Sequence, residues 1–181
     1  TQLIARRIRE EKIYCEVHPF NKILPTLIKN LNVKGIILSG GPNSVSDKNA
    51  PKLPKILFDL NLPILGICYG LQILTKKFGG IIKKSTSREY GHANIKIVKE
   101  SILISKKWLN KKTQVWMSHG DHVSRAPKNF TVIAKSNSNI ISILENSKDK
   151  IYGLQFHPEV YHTILGRHIL KNFILNIYKI K

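Results

Sequence analysis

Residues 63–70 read Pro-Ile-Leu-Gly-Ile-Cys-Tyr-Gly, which places a cysteine between an apolar run and a helix-like stretch. The apolar residues 63–67 predict a buried strand, and residues 71–78 have helical spacing. Glycines flank Cys68, as in a sharp strand-to-helix turn that leaves no room for neighbouring side chains. A helix beginning below Cys68 would favour its thiolate, because a helix N-terminus carries partial positive charge. The pattern indicates a nucleophile, although small residues also surround buried cysteines where a strand packs closely on a helix.

A second segment, residues 153–160, reads Gly-Leu-Gln-Phe-His-Pro-Glu-Val and supplies a histidine and a carboxylate. Pro158 favours an extended backbone at His157, and side chains two apart in an extended chain point to the same side. The carboxylate of Glu159 is therefore expected near the imidazole of His157. A thiol nucleophile needs a base and a group that orients the base. A lone His or Glu is usually solvated, but the three residues together predict a catalytic triad of Cys68, His157 and Glu159.

Strand and helix patterns alternate on either side of the Cys68 turn. In the first half, we predict helices at residues 3–12, 21–31 and 51–60, and strands at residues 13–18 and 34–39. The second half is richer in strands, predicted at residues 81–84, 94–98, 115–118, 131–135, 140–144 and 150–156, with a closing helix at residues 164–178. This order predicts an α/β fold with three layers, in which a mostly parallel open sheet has helices on both faces and is followed by a small strand-rich part. Sites in such folds form beyond the carboxyl ends of the strands.

Composition indicates an ordinary globular chain with an unusual charge. Its 181 residues, 42% of them hydrophobic, suffice for a substantial core, and we predict a single domain over residues 1–181. Two cysteines give no disulfide framework, and no apolar run approaches a membrane span, which favours a reducing cytoplasm. The net charge of +19 would suit nucleic acid, but 24 of the 30 basic residues are lysines spread along the chain. We expect no specific nucleic-acid partner and no membrane partner, only salt-sensitive nonspecific binding.

Residues 68–72, Cys-Tyr-Gly-Leu-Gln, together with His157-Pro158-Glu159, resemble the class I (triad) glutamine amidotransferases, which take ammonia from glutamine and pass it to a partner active site. Residues 39–42, 87–93, 116–121, 153–160 and 162–163 are similar to the glutaminase domains of the GMP synthase branch of that family. The resemblance covers the chain to about its last helix and implies a flavodoxin-like fold. Tyr161 departs from it, since the family usually has a small hydroxyl residue there.

The resemblance also implies which residues hold the substrate. Backbone N–H groups of Gly41 and Tyr69 would form an oxyanion hole, although residues 39–42 taken alone could be an ordinary strand-ending turn. The glutamine-binding residues would be Gln72, Ser118, Gly120 and Asp121, with the Asp121 carboxylate attracting the ammonium group. Taken alone, residues 118–122 could be a polar turn; their His-Gly-Asp-His spacing could suggest a metal site, but a further histidine is lacking and no metal is expected.

By the same resemblance, this domain needs no cofactor. Ammonia would pass to an ATP-pyrophosphatase (synthetase) domain or subunit, where ATP and magnesium are expected and where XMP is aminated to GMP. The family opens with an apolar strand and a Gly-Ser-Gln turn, whereas this chain begins at Thr1 without them, so we expect a missing first strand and an N-terminally truncated domain. The alternatives are the glutaminase component of another class I amidotransferase, a gamma-glutamyl hydrolase on the same fold, and a basic binding module with a vestigial site.

Overall fold

The computed structural model describes residues 1–22, 25–30, 32–41, 44–47 and 50–177. The helices are α1 (Gln2–Glu10), α2 (Pro25–Asn30), α3 (Ile56–Asp59), α4 (Tyr69–Lys77) and α5 (Gly166–Asn172), with 3₁₀ turns at Phe20–Lys22 and Lys106–Trp108 and a π-helical turn at Phe173–Ile177. The strands are β1 (Ile36–Leu38), β2 (Ile64–Ile67), β3 (Ile81–Ile97), β4 (Lys112–Arg125), β5 (Thr131–Ser136), β6 (Ile141–Asn146) and β7 (Ile151–Leu154).

All seven of these strands form one mixed sheet in the order β1-β2-β7-β6-β5-β3-β4. The pairs β1–β2 and β2–β7 are parallel, and the remaining pairs are antiparallel. The parallel part is thus limited to three strands, and the strand-rich second half extends the same sheet. Short turns join β5 to β6 and β6 to β7, and such turns can connect only antiparallel neighbours.

Helices cover both faces of the parallel part, which confirms the predicted three layers. Leu65, Leu154 and their neighbours on one face share a core with Ile4 and Ile8 of α1 and with apolar residues of α5. On the opposite face, Leu74 of α4 packs with Ile64 and Ile151. The two faces follow from the strand period of two, which sends successive side chains to opposite sides.

Helix α4 lies unusually close to the sheet because glycines stand at its contact points. A Cβ at Gly70 would lie 2.1 Å from the carbonyl oxygen of Leu38, and one at Gly66 would lie 2.6 Å from the carbonyl carbon of Gly70. Neither position can hold a larger side chain without moving backbone. The glycines predicted to flank the cysteine therefore set the depth at which α4 begins.

Three predicted elements of the first half differ from the structure. Residues 13–18 pair with no strand among the described residues, and their alternation reflects half-buried Ile13 and Cys15, which pack against the core while the chain between them faces solvent. The helix predicted for residues 51–60 is reduced to α3, because Pro54 lacks an N–H and disfavours helical geometry before it. The helix predicted for residues 21–31 is a 3₁₀ turn followed by α2; residues 23, 24 and 31 lie outside the described part.

The second half differs mainly in strand length. Residues 81–84 and 94–98 were predicted as separate strands but belong to the single strand β3, whose register with β4 shifts between Lys84 and Glu89. Residues 118–122 form no turn, since they lie within β4, where alternate residues are buried. The closing helix is α5 with the π-helical turn that follows it; residue 178 lies outside the described part.

Candidate active site

Cys68 lies at the carboxyl edge of the parallel strands, between β2 and α4. Its N–H donates to the carbonyl of Leu154 at 2.7 Å, which continues the pairing of β2 with β7 by one residue. Its φ of +53° and ψ of −106° lie where a side chain is rarely tolerated. The Gln72 N–H then donates to the Cys68 carbonyl at 3.2 Å, in the first turn of α4. The backbone therefore has the strained turn that the flanking glycines predict.

His157 and Glu159 lie in the loop after β7, and their side chains are hydrogen-bonded, with 2.9 Å between His157 Nδ1 and Glu159 Oε1. Other parts of the chain hold this loop. The His157 N–H donates to the Trp116 carbonyl on β4 at 3.0 Å, and the Thr163 hydroxyl donates to the His157 carbonyl at 2.6 Å. The guanidinium Nε of Arg7 on α1 donates to the Glu159 carbonyl at 3.0 Å.

The imidazole of His157 lies beside the side chain of Cys68, and both line the same side of Gly40. Burial lowers the pKa of His157, but hydrogen bonds to Cys68 and Glu159 and the negative charges of both outweigh burial and raise this pKa to about 10. These contacts favour the protonated, imidazolium form of His157 at neutral pH. The structure thus brings together Cys68, His157 and Glu159.

The glycine turn after β1 lies against this group. A Cβ at Gly40 would be 3.3 Å from His157 Cε1 and 3.5 Å from Cys68 Cβ. A Cβ at Gly41 would be 3.9 Å from Tyr69 Cγ. Because β1 is parallel to β2, both strands deliver their last residues to one edge, so Gly41 lies near Tyr69, the residue after Cys68. Pro42 of this predicted segment lies outside the described residues.

Strand β4 brings the predicted glutamine-binding residues to the start of α4. The Ser118 carbonyl oxygen is 3.5 Å from Cys68 Sγ. The Asp121 carboxylate is buried and accepts a hydrogen bond from the Ser44 hydroxyl. Gly120 lies between these two residues in the strand.

Gln72 is buried, 3% exposed, where a helical surface glutamine would be solvated. Its Nε2 donates to the Asp121 carbonyl at 2.8 Å and to Gln155 Oε1 at 3.5 Å. With both N–H groups engaged, the amide has its oxygen left to receive a ligand's donor. This arrangement is compatible with the predicted role of Gln72 as a glutamine-binding residue.

Four residues near the site had no role in the sequence-based prediction: Arg7, Ser44, Gln155 and Thr163. Gln155 carried a signal, because it is a polar residue between Leu154 and Phe156 in a segment predicted to be a strand. The others had none, since Arg7 and Ser44 are remote in sequence and Thr163 is one of many hydroxyl residues. Within the described ranges, the structure contains no cluster of three His, Cys, Asp or Glu side chains suited to a metal ion. No helix in those ranges is long and apolar enough to cross a membrane.

The family described as glutamine amidotransferase class-I matches residues 1–177 of this chain. The chain therefore belongs to the class I glutamine amidotransferases, a family of enzymes. It is 45% identical over 180 residues to a glutamine-hydrolyzing GMP synthase of Clostridium botulinum, covering 99% of this chain and 35% of that protein. It is 49% identical over 177 residues to the one from Spiroplasma kunkelii, with 98% and 34% covered. The chain thus spans about a third of the length of these curated relatives.

Solved structures agree on the fold. A protein from Thermoplasma acidophilum described as a putative GMP synthase subunit matches with a TM-score of 0.85 at 30% identity, over 98% of this chain and 87% of that chain. A glutamine amidotransferase from Thermotoga maritima matches with a TM-score of 0.78 at 18% identity, over 98% and 92% of the two chains. The second likeness bears on the fold alone, and it supports the flavodoxin-like architecture.

Proposed function

We propose that Cys68, His157 and Glu159 hydrolyse glutamine to glutamate and ammonia, and that the ammonia serves the amination of XMP to GMP. The observation that carries the proposal is the juxtaposition of Cys68 with the hydrogen-bonded pair of His157 and Glu159 at the strand edge. In this proposal residues 1–181 are a single glutaminase domain that works in the cytoplasm.

In the first half-reaction, the Cys68 thiolate attacks the side-chain amide carbon of glutamine. His157 donates its proton to the departing nitrogen as the C–N bond breaks, so ammonia leaves and a glutamyl thioester remains on Cys68. Glu159 stabilises the imidazolium and orients the ring. Backbone N–H groups of Gly41 and Tyr69 stabilise the oxyanion, each by about 3 kcal/mol in sites of this kind.

In the second half-reaction, the neutral imidazole of His157 takes a proton from water, and the resulting hydroxide attacks the thioester carbon. The C–S bond breaks, glutamate leaves, and the thiolate–imidazolium pair is restored. Substrate is held on the α4 side of the sulfur, where the Gln72 amide oxygen and the Asp121 carboxylate accept from the ammonium group. Backbone groups of Ser118 and Gly120 complete the glutamine site, with no metal involved.

The proposed acceptor of ammonia is an ATP-pyrophosphatase (synthetase) domain or subunit. The curated relatives support this assignment by name, and their threefold greater length leaves room for such a domain. ATP, magnesium and XMP would bind there, and this domain would need no cofactor of its own.

Ammonia and glutamate release from glutamine tests the proposal, measured with and without the synthetase part of a GMP synthase. We expect equal amounts of both products, abolished in Cys68→Ser and retained in Cys15→Ser, the matched change at the other cysteine. GMP formation by the Cys68→Ser assembly should persist with added ammonium. Faster cleavage of a gamma-glutamyl dipeptide than of glutamine would contradict the proposal in favour of a hydrolase. Unchanged glutamine-dependent GMP formation by an assembly that carries Cys68→Ala would contradict it in favour of a binding module with a vestigial site.

A further inference from the structure

A buried chain of side-chain amides leads from β4 to the nucleophile. Gln155, the residue after β7, is 0% exposed. Its Nε2 lies 4.0 Å from Cys68 Sγ, a long N–H···S contact, and its Oε1 lies 3.5 Å from Gln72 Nε2. The same Gln72 nitrogen lies 2.8 Å from the Asp121 carbonyl oxygen.

The direction of this chain is fixed at its β4 end. A main-chain carbonyl can only accept, so Gln72 must turn its NH₂ group toward Asp121. The second hydrogen of that NH₂ group then points to Gln155, whose side-chain oxygen must accept it. If the Gln155 amide were flipped, two NH₂ groups would face each other in a buried site, which leaves donors unsatisfied. Gln155 is therefore compelled to present N–H groups to the sulfur.

The backbone supports the same geometry. The Gln155 N–H donates to the Ser142 carbonyl on β6 at 2.9 Å, and the Cys68 N–H donates to the Leu154 carbonyl at 2.7 Å. The sulfur lies 3.5 Å from the Ser118 carbonyl oxygen and 4.0 Å from Gln155 Nε2, with His157 and Glu159 beside it. The Ser118 carbonyl repels a thiolate, whereas the Gln155 amide is a neutral donor that attracts it.

We propose that Gln155 is a positioning residue that holds the Cys68 thiolate through a side-chain N–H donor whose direction Gln72 and the Asp121 carbonyl impose. The inference rests on the proposed nucleophilic role of Cys68, but not on the identity of the substrate. It also gives Gln72 a second task, because the residue that would receive the substrate's ammonium group also orients the donor to the sulfur.

Alkylation of Cys68 by iodoacetamide, followed from pH 5 to 10 on the full chain without glutamine, tests this inference. A C–S bond forms and iodide leaves only when the thiolate is present, so the pH midpoint of the rate reports on the thiolate. We expect Gln155→Met, which keeps the side-chain length without the donor, to raise the midpoint by about one pH unit and to slow alkylation at neutral pH about tenfold. Gln155→Glu should raise it further, because a carboxylate would face the sulfur. Gln72→Met should shift it in the same direction, because it frees the Gln155 amide to turn.

The matched control is Asn146→Leu, which removes a buried amide from the far end of β6, where it binds Asp149. It should cost stability without moving the midpoint. NMR spectra of the wild-type chain give an independent measurement. We expect the chemical shifts of the Gln155 side-chain amide protons to change with pH at the same midpoint as the alkylation rate. This pH dependence should be absent in Cys68→Ser. The inference would be overturned if the chemical shifts of these amide protons did not change at the alkylation midpoint, or if Gln155→Met left that midpoint unchanged. Either result would leave the proposed function intact. An unreactive Cys68 in the wild-type chain would overturn both.

Discussion

His157 has two acidic partners, the thiol of Cys68 on one side and the carboxylate of Glu159 on the other. Burial alone lowers the pKa of a histidine, but here the two partners outweigh it and raise the pKa to about 10. The imidazole therefore holds a proton at neutral pH and can deliver it to a leaving amine. In the proposed mechanism it becomes a base for water only after the thioester has formed on Cys68.

Titration of His157 by NMR tests this electrostatic arrangement. We expect its ring to remain protonated through pH 8 and to titrate near the pKa of about 10, and Glu159→Gln to bring this pKa down. Because the pKa of His157 lies above the ordinary 6.5, protonation of His157 adds to the free energy of unfolding. This contribution is fully present below about pH 6.5 and is lost as the pH rises through about 10. A wild-type ring that titrates near 6.5 would contradict the arrangement.

At the scale of elements, the proposed triad joins parts of the chain that are far apart in sequence. Strand β2 delivers Cys68, the loop after β7 delivers His157 and Glu159, and helix α1 contacts this loop through Arg7. Arg7 also pairs with Glu10 one turn later, with 3.0 Å between Nη1 and Oε2, which steadies the guanidinium. Helix α1 therefore supports the backbone that carries the triad acid.

Replacing Arg7 by Gln should loosen the Glu159 loop. We expect kcat for glutamine hydrolysis to fall about threefold to tenfold with little change in KM, because the Arg7 contact is to the loop that carries Glu159. Arg6→Gln is the matched control, since Arg6 pairs with the same Glu10 and is more exposed. Equal losses in the two variants would show that the Arg7 contact to Glu159 has no part in catalysis.

The close approach of α4 to the sheet leads us to expect that a side chain at Gly70 would destabilise the fold. Gly70→Ala should lower the free energy of unfolding by about 3 kcal/mol, because its Cβ would lie 2.1 Å from the Leu38 carbonyl oxygen and backbone cannot yield cheaply. Gly120→Ala is the control for stability, since its Cβ would meet nothing within 4 Å. Chemical denaturation of both variants measures the difference, and a neutral Gly70→Ala would contradict the packing described for α4.

For the whole molecule, local patterns predicted most of the parallel core. The apolar run before Cys68 became β2, and the helical spacing after it became α4, because both signals are local. The antiparallel extension could not be predicted, since strand order depends on pairing between distant segments. The strand predicted at residues 13–18 was wrong because a local pattern does not show whether a segment pairs with another strand. Half-burial of Ile13 and Cys15 gives the same alternation as a paired strand.

In the site as well, residues placed by local geometry could be predicted, and residues placed by contacts between distant segments could not. The Cys68 turn and the His157-Pro158-Glu159 pairing follow from local geometry, so their positions could be predicted. The amide chain through Gln72 and Gln155 could not, because it depends on the Asp121 carbonyl of β4 arriving beside α4. The same holds for Arg7, whose contact with Glu159 bridges 152 positions of sequence.

The most direct test of the central claim is to look for the covalent intermediate. The full chain is mixed with carbon-labelled glutamine, quenched rapidly in acid, digested and analysed by mass spectrometry. We predict a labelled glutamyl thioester on the peptide that contains Cys68, absent in Cys68→Ser, with the peptide that contains Cys15 unlabelled. Label on Cys15, or undiminished release of labelled glutamate by Cys68→Ser, would contradict the account.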